Sequence, residues 1–368
     1  MTNSRVHGLP RWSLAVPPLA FVVLVLSWGR DLGALLLILV CAGLGAAVIA
    51  AVHHAEVVAH RVGEPFGTLI LALAVTIIEV ALIVTLMASG GDKAASLARD
   101  TVFAAVMITC NGILGIALVV GSLKHHVQEF RVHASSGALA VMTALVTLSL
   151  VLPTFTTSAS GPRFSGPQLA FAGVVSLVMY GVFVFVQTVR HRDYFLPVTP
   201  AAKDVEEEEE HHADAPSGKV ALSSLGLLFV CLIAVVGLAK TVSPKLESAV
   251  ESAGAPLAVV GVVIALLVLL PETVAAVRAA LRNRLQTSVN LALGSALASI
   301  GLTIPAIGIA SIWLDGPLVL GLGGKEIVLF ALTVAVSTIT LATGKATLLQ
   351  GAVHLMVFSA FLFLAVSP

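Results

Sequence analysis

Charge is what this chain has least of. Asp, Glu, Lys and Arg make up 11% of its 368 residues, where soluble domains carry about 25%, so its outer surface does not face water. The few charges balance at 20 basic and 20 acidic, which leaves no basic excess for a nucleic-acid partner. Cysteine is nearly absent too. Cys41, Cys110 and Cys231 stand inside apolar runs at no zinc or disulfide spacing, and they read as small buried hydrophobes. No resident cofactor is indicated.

Apolar sequence fills the space. Hydrophobic residues make up 58% of the chain and mean hydropathy is +1.04. Stretches of about 20 apolar residues, each long enough to cross a bilayer as a helix, recur from end to end. The expected fold is an all-α polytopic membrane protein in a lipid bilayer. About 11 transmembrane helices are placed by hydropathy, over 13–28, 33–52, 68–88, 101–122, 137–155, 168–189, 222–241, 256–277, 287–313, 326–342 and 347–366. The first lacks a small-residue cleavage site and contains Pro17 and Pro18, so it is read as a helix and not as a signal peptide. With a cytoplasmic N-terminus, the inner loops collect 13 of the 20 Lys and Arg residues, the bias that positive-inside topology calls for.

The interval 193–219 breaks the apolar pattern. It carries an acidic run from Asp204 to Glu210, followed by His211 and His212. It reads as a solvated cytoplasmic linker, with a cation collector as the alternative, since clustered carboxylates raise the local cation concentration. The expected organisation is an N-terminal segment with the first helix (1–30), a five-helix repeat (31–192), the linker (193–219) and a second five-helix repeat (220–368). An odd number of spans per half sends the halves through the membrane in opposite directions, as in inverted-topology repeats.

The second span of each half carries a central carboxylate, Glu79 in the first and Glu272 in the second. A charge at a helix centre costs about 2.5–3.5 kcal/mol on insertion scales, which marks both as functional candidates. Thr76, one turn before Glu79, offers an oxygen on the same face. Pro271, just before Glu272, removes a backbone donor and frees a carbonyl in the preceding turn. The next span of each half adds Asn111 and Ser295 as candidate ligands, beside Thr109, Asn290, Ser299 and Thr303. Oxygen ligands with two carboxylates suit a hard cation such as Ca2+. Two protons balance the same charge, and burying a carboxyl favours its protonated form, so metal and protons are expected to exclude each other.

Other polar features have plainer readings. His53, His54, Glu56 and His60 lie near a membrane boundary without a protease motif, and Glu64 is placed at the same mouth. His354 is read as a satisfied core histidine, and Lys325–Glu326 as an interfacial pair.

The stretches GEPFGTLILALAVTIIEVALI and LLPETVAAVRAALRNRLQTSVNLALGSALASIGLTIP, with the closing TGKATLLQGAVHLMVF, resemble the signature repeats of the calcium/cation–proton exchanger (CAX) family of the Ca2+/cation antiporter superfamily, in its bacterial ChaA-type branch. The family acids fall on Glu79 and Glu272, and the ALGS turn on Ala292 to Ser295. The resemblance implies an antiporter of eleven spans, two inverted five-helix repeats and an acidic linker, in the inner membrane of a bacterium. It also implies that the two acids bind Ca2+ and H+ in turn. The chain departs from the pattern before each acid, where Val75–Thr76 and Leu270–Pro271 stand in place of a Gly-Asn pair. It departs again at Ala296 and Ala298, which replace a Ser-Gln pair. This thinner oxygen shell fits transport of Na+ and K+ as well. The expected function is therefore export of cytoplasmic Ca2+, with Na+ or K+ as further substrates, in exchange for H+, and not enzymic catalysis. A sodium-coupled calcium exchanger and a passive cation channel are the alternatives, and a homo-oligomer is left open.

Overall fold

A backbone in hydrocarbon must satisfy its own N–H and C=O groups, and helices do this locally. The computed structural model describes residues 5–6, 9–63, 66–90, 95–196, 216–314 and 316–368, and nearly all of these are helical. Most of the acidic linker, including Asp204 to His212, lies outside the described residues, as does Glu64.

The helices are α1 (Arg11–Ser27), α2 (Ala34–Val62), α3 (Phe66–Gly90), α4 (Leu97–His125), α5 (Val132–Thr154), α6 (Gly166–Arg190), α7 (Gly218–Ser252), α8 (Ala258–Val268), α9 (Leu270–Leu281), α10 (Leu285–Ala310), α11 (Gly324–Ala342) and α12 (Leu348–Val366). Among the described residues, eight are long and apolar enough to cross a membrane. The pair α8 and α9 forms a further span bent by 53°, and α1 and α3 supply two shorter apolar stretches. Each of the eleven segments expected from hydropathy is thus helical, and among the described residues nine are long and apolar enough to cross when the bent pair counts as one span. A one-turn helix at Arg192–Phe195 and two short antiparallel ribbons complete the secondary structure of the described residues. The ribbons are β1 (Arg5–Val6) with β2 (Leu9–Pro10), and β3 (Gln128–Glu129) with β4 (Lys345–Ala346), where Gln128 faces Ala346 and Glu129 faces Lys345.

Two sequence expectations need correction. Helix α2 does not stop near residue 52 but runs to Val62 and ends at Gly63, whose φ of 78° suits glycine. Its polar end is helical because α1 gives it partners. The buried His54 Nε2–H donates to the Ser13 carbonyl at 2.9 Å, and the His53 ring meets Trp12 at 5.0 Å. His53, His54, Glu56 and His60 therefore lie along one helix and do not converge on a metal site. Cys110 and Cys231 are buried as expected, but Cys41 is exposed on α2, where an apolar thiol can face lipid without cost.

Two apolar clusters make up the core. One draws mainly on α1, α2, α3, α7 and α8 with the ends of α4 and α10, the other on α4, α5, α6, α9, α10, α11 and α12 with one side of α8. Several of the helix contacts are matched when α2 to α6 are exchanged with α7 to α12, counting α8 and α9 as one. Helix α2 packs on α7 and α5 on α11. The contact of α3 with α10 is matched by α4 with α8 and α9, and that of α6 with α10 by α12 with α4. The third helix of each half is thus embedded in the other half.

The loops sort into two faces. On one, His125 Nε2 is 2.9 Å from the Leu281 carbonyl, the Arg131 N–H donates to Gln286 Oε1 at 2.6 Å, and Lys345 pairs with Glu129 at 2.9 Å. On the other, Arg99 donates to the Gly321 carbonyl at 3.1 Å and Thr154 to the Leu322 carbonyl at 2.7 Å. Lys325–Glu326 is an ion pair of 3.6 Å with both side chains part-exposed.

Candidate functional site

Glu79 sits midway along α3 among the buried residues Ile78, Leu82 and Ile83, and is itself 2% exposed. Its Oε2 accepts a hydrogen bond of 2.9 Å from Ser299 Oγ on α10. Its Oε1 is buried with no hydrogen-bond partner among the described residues. Thr303, one turn beyond Ser299, has its hydroxyl buried beside the same carboxylate and is placed to donate to it. Two hydroxyls of one half thus attend the acid of the other.

Glu272 owes its position to a break. Helix α8 ends at Val268, Leu269 leaves helical geometry at φ −86° and ψ 2°, and α9 starts with Pro271 in its first turn. Proline fits there because the first-turn N–H groups have no partner within the helix. The carboxylate therefore stands in the first turn of a helix, where the positive end of the helix dipole favours an anion. Its Oε2 is buried and has no partner among the described residues, and the group lies within Coulombic range of both Glu79 and Glu56.

A cavity of about 150 Å³ joins these elements. Thr76 of α3, Glu272 of α9, and Asn290, Ser295 and Ser299 of α10 reach it, while Tyr180 and Gln187 of α6 form the opposite wall. Glu79 lies behind Ser299, the hydroxyl that links it to the cavity wall. Of the residues singled out from the sequence, Thr76, Glu272 and Ser295 share this cavity and Glu79 borders it. Asn111 is placed elsewhere. Its Nδ2 donates to Thr333 Oγ1 at 2.9 Å, and its Oδ1 lies 3.2 Å from His354 Nδ1. His354 is a fully buried, hydrogen-bonded residue of the bundle.

Sequence reasoning ranked Ser299 and Thr303 below Ser295. Their spacing of one turn on the face toward α3 was the available signal. It did not single out Tyr180, whose wall position follows from α6 packing on Gly301, where a Cβ would fall 2.6 Å from the Tyr180 Cβ.

Two carboxylates with buried oxygens left unpartnered among the described residues, one of them lining a small and largely apolar cavity in a membrane bundle, are what an ion transporter calls for. Comparison with known proteins agrees. The sodium/calcium exchanger protein family model matches residues 32–189 and 223–367. A protein of Sinorhizobium fredii named as an ionic transporter is 50% identical over 367 residues, 99% of this chain and 98% of that one. The sodium-potassium/proton antiporter ChaA of Escherichia coli is 36% identical over 354 residues, 95% of this chain and 94% of its own length. The crystal structure of an H+/Ca2+ exchanger, CAX, shares the fold with a TM-score of 0.69 at 17% identity, covering 95% of this chain and 87% of that one. The chain belongs to the sodium/calcium exchanger family. It is a cation-exchanging membrane transporter and not an enzyme.

Proposed function

We propose that the protein is a secondary active antiporter that moves Ca2+, and also Na+ or K+, out of the cytoplasm of a bacterium in exchange for H+. Glu79 and Glu272 bind the cation in one state and protons in the other. The observation that carries this reading is the pair of buried carboxylate oxygens without partners, Glu79 Oε1 and Glu272 Oε2. An unpaired carboxylate charge inside a bundle is costly, and either a bound cation or a proton removes that cost. Thr76, Ser295 and Ser299 supply further oxygens.

The matched helix contacts support two inverted five-helix repeats, 31–192 and 220–368, joined by the linker 193–219 and preceded by the extra helix in 1–30. The cavity reaches Gln187 near the end of α6 and Asn290 near the start of α10. With the N-terminus cytoplasmic, these are the inner ends, so this conformation faces inward. The relative named as a sodium-potassium/proton antiporter supports the inclusion of monovalent ions.

The test is transport in proteoliposomes with an imposed pH gradient, offering Ca2+, Na+ and K+ in turn. Coupled counterflow of protons with at least one of them is expected. Because protons compete for the same carboxylates, apparent cation affinity should rise as pH on the loading side rises. Flux driven by a sodium gradient alone would favour a sodium-coupled exchanger, and uncoupled flux would favour a channel. Replacing Ser299 with Ala removes one hydroxyl from Glu79 while both charges stay. The expected result is an apparent cation affinity lower by about 10–150-fold, matching the loss of a hydrogen bond to a charged group of about 1.5–3 kcal/mol, at nearly unchanged maximal rate.

A further inference from the structure

Glycines let α12 approach α4 more closely than other residues would allow. A Cβ on Gly115 would fall 3.1 Å from the His354 Cβ, and one on Gly112 3.3 Å from the Phe358 ring. This approach lays the His354 ring against Ile108–Ile113, a π-helical turn inside α4. There the Leu114 N–H bonds to the carbonyls of Thr109 and Asn111. It passes over Cys110, whose carbonyl it would meet in a regular helix.

His354 lies within hydrogen-bonding reach of that Cys110 carbonyl, and its Nδ1 stands 3.2 Å from Asn111 Oδ1. Its Nε2 is 3.1 Å from Thr340 Oγ1 on α11. A single neutral tautomer serves all of these, with Nδ1–H donating to the turn and Nε2 accepting from the Thr340 hydroxyl. Asn111, held at both amide atoms by His354 and Thr333, belongs to the same array.

We propose that His354 is a positioning residue for cation exchange: its Nδ1–H holds α4 in π register at Cys110 and Asn111, and that register sets which side of α4 packs on the helices carrying Glu272 and Ser299. The turn packs on α9 and α10, which carry Glu272 and Ser299. Returning α4 to a regular helix shifts one side of it by a residue, a rotation of about 100° at 3.6 residues per turn. The functional consequence rests on the exchange reading above, whereas the register does not.

The experiment compares wild type, His354→Leu and His354→Asn, whose amide offers a donor where Nδ1–H stood. Hydrogen–deuterium exchange is measured over 104–118 in nanodiscs, and Ca2+ transport is measured as a function of concentration and pH. In His354→Leu, faster exchange is expected at 108–114, together with an apparent KM for Ca2+ raised about tenfold. The pH profile should keep its shape, and His354→Asn should recover both readouts. Unchanged amide exchange in His354→Leu would overturn the proposal, as would equal damage in both variants or a displaced pH profile. If wild type transports no cation, the exchange reading fails while amide exchange still decides the register.

Discussion

Glu79→Gln and Glu272→Gln will each remove proton-driven cation transport while leaving the protein folded. Glutamine keeps the size of the side chain, and at position 79 its carbonyl oxygen can still accept the Ser299 hydroxyl, now 2.9 Å from Oε2. What is lost is the ability to ionise. With one carboxylate gone, a dication leaves the site with a net charge, and the transporter can no longer exchange two protons for it. The expected drop in transport efficiency is at least about 100-fold, or roughly 2.7 kcal/mol at 1.36 kcal/mol per decade. Stability should not fall with it, because a neutral amide avoids the cost of about 2.5–3.5 kcal/mol that a charge incurs mid-membrane. Vesicle transport and a thermal melt on the same preparation check both halves. Intact proton-coupled flux in either variant would end the two-carboxylate reading.

The second large effect is structural and falls on Gly351. A Cβ there would lie 2.7 Å from the backbone nitrogen of Val119 and 2.9 Å from the Leu118 Cβ. A backbone atom held in α4 cannot rotate away as a side-chain tip can, so Gly351→Val must push α12 off α4. Overpacking typically costs about 1–3 kcal/mol. Here the displacement also strains the His354 contacts with Asn111 and Thr340, so about 3 kcal/mol or more is expected. Gly181 provides the control. A Cβ there meets nothing within 4 Å, and alanine in a helix is better than glycine by about 1 kcal/mol. The midpoint of thermal unfolding should drop clearly in Gly351→Val and hold or rise in Gly181→Ala.

Hydropathy was enough to find the spans because the bilayer imposes one demand on every crossing segment, and Glu79 and Glu272 stood out against it. Pro271 likewise announced the break between α8 and α9. Two things were hidden. The end of α2 depends on α1, since only Ser13 and Trp12 explain why His54 and His53 are helical. The π-turn of α4 has no local marker in ITCNGI, and the side chains that hold Asn111 within it come from α11 and α12. The same distance effect concealed Asn111: an amide in an apolar span reads as a free ligand until Thr333 and His354 are seen to hold it.

That distance also has a meaning in time. Asn111 is bonded to partners 222 and 243 residues further along the chain. At synthesis rates of about 5–20 residues per second, they follow it by roughly 10–50 s. Until then α4 resides in the membrane or its insertion machinery with a polar amide still waiting for α11 and α12. The ribosome thus delivers one of the earlier helices incomplete, and assembly of the polar core around it is set by the arrival of α11 and α12.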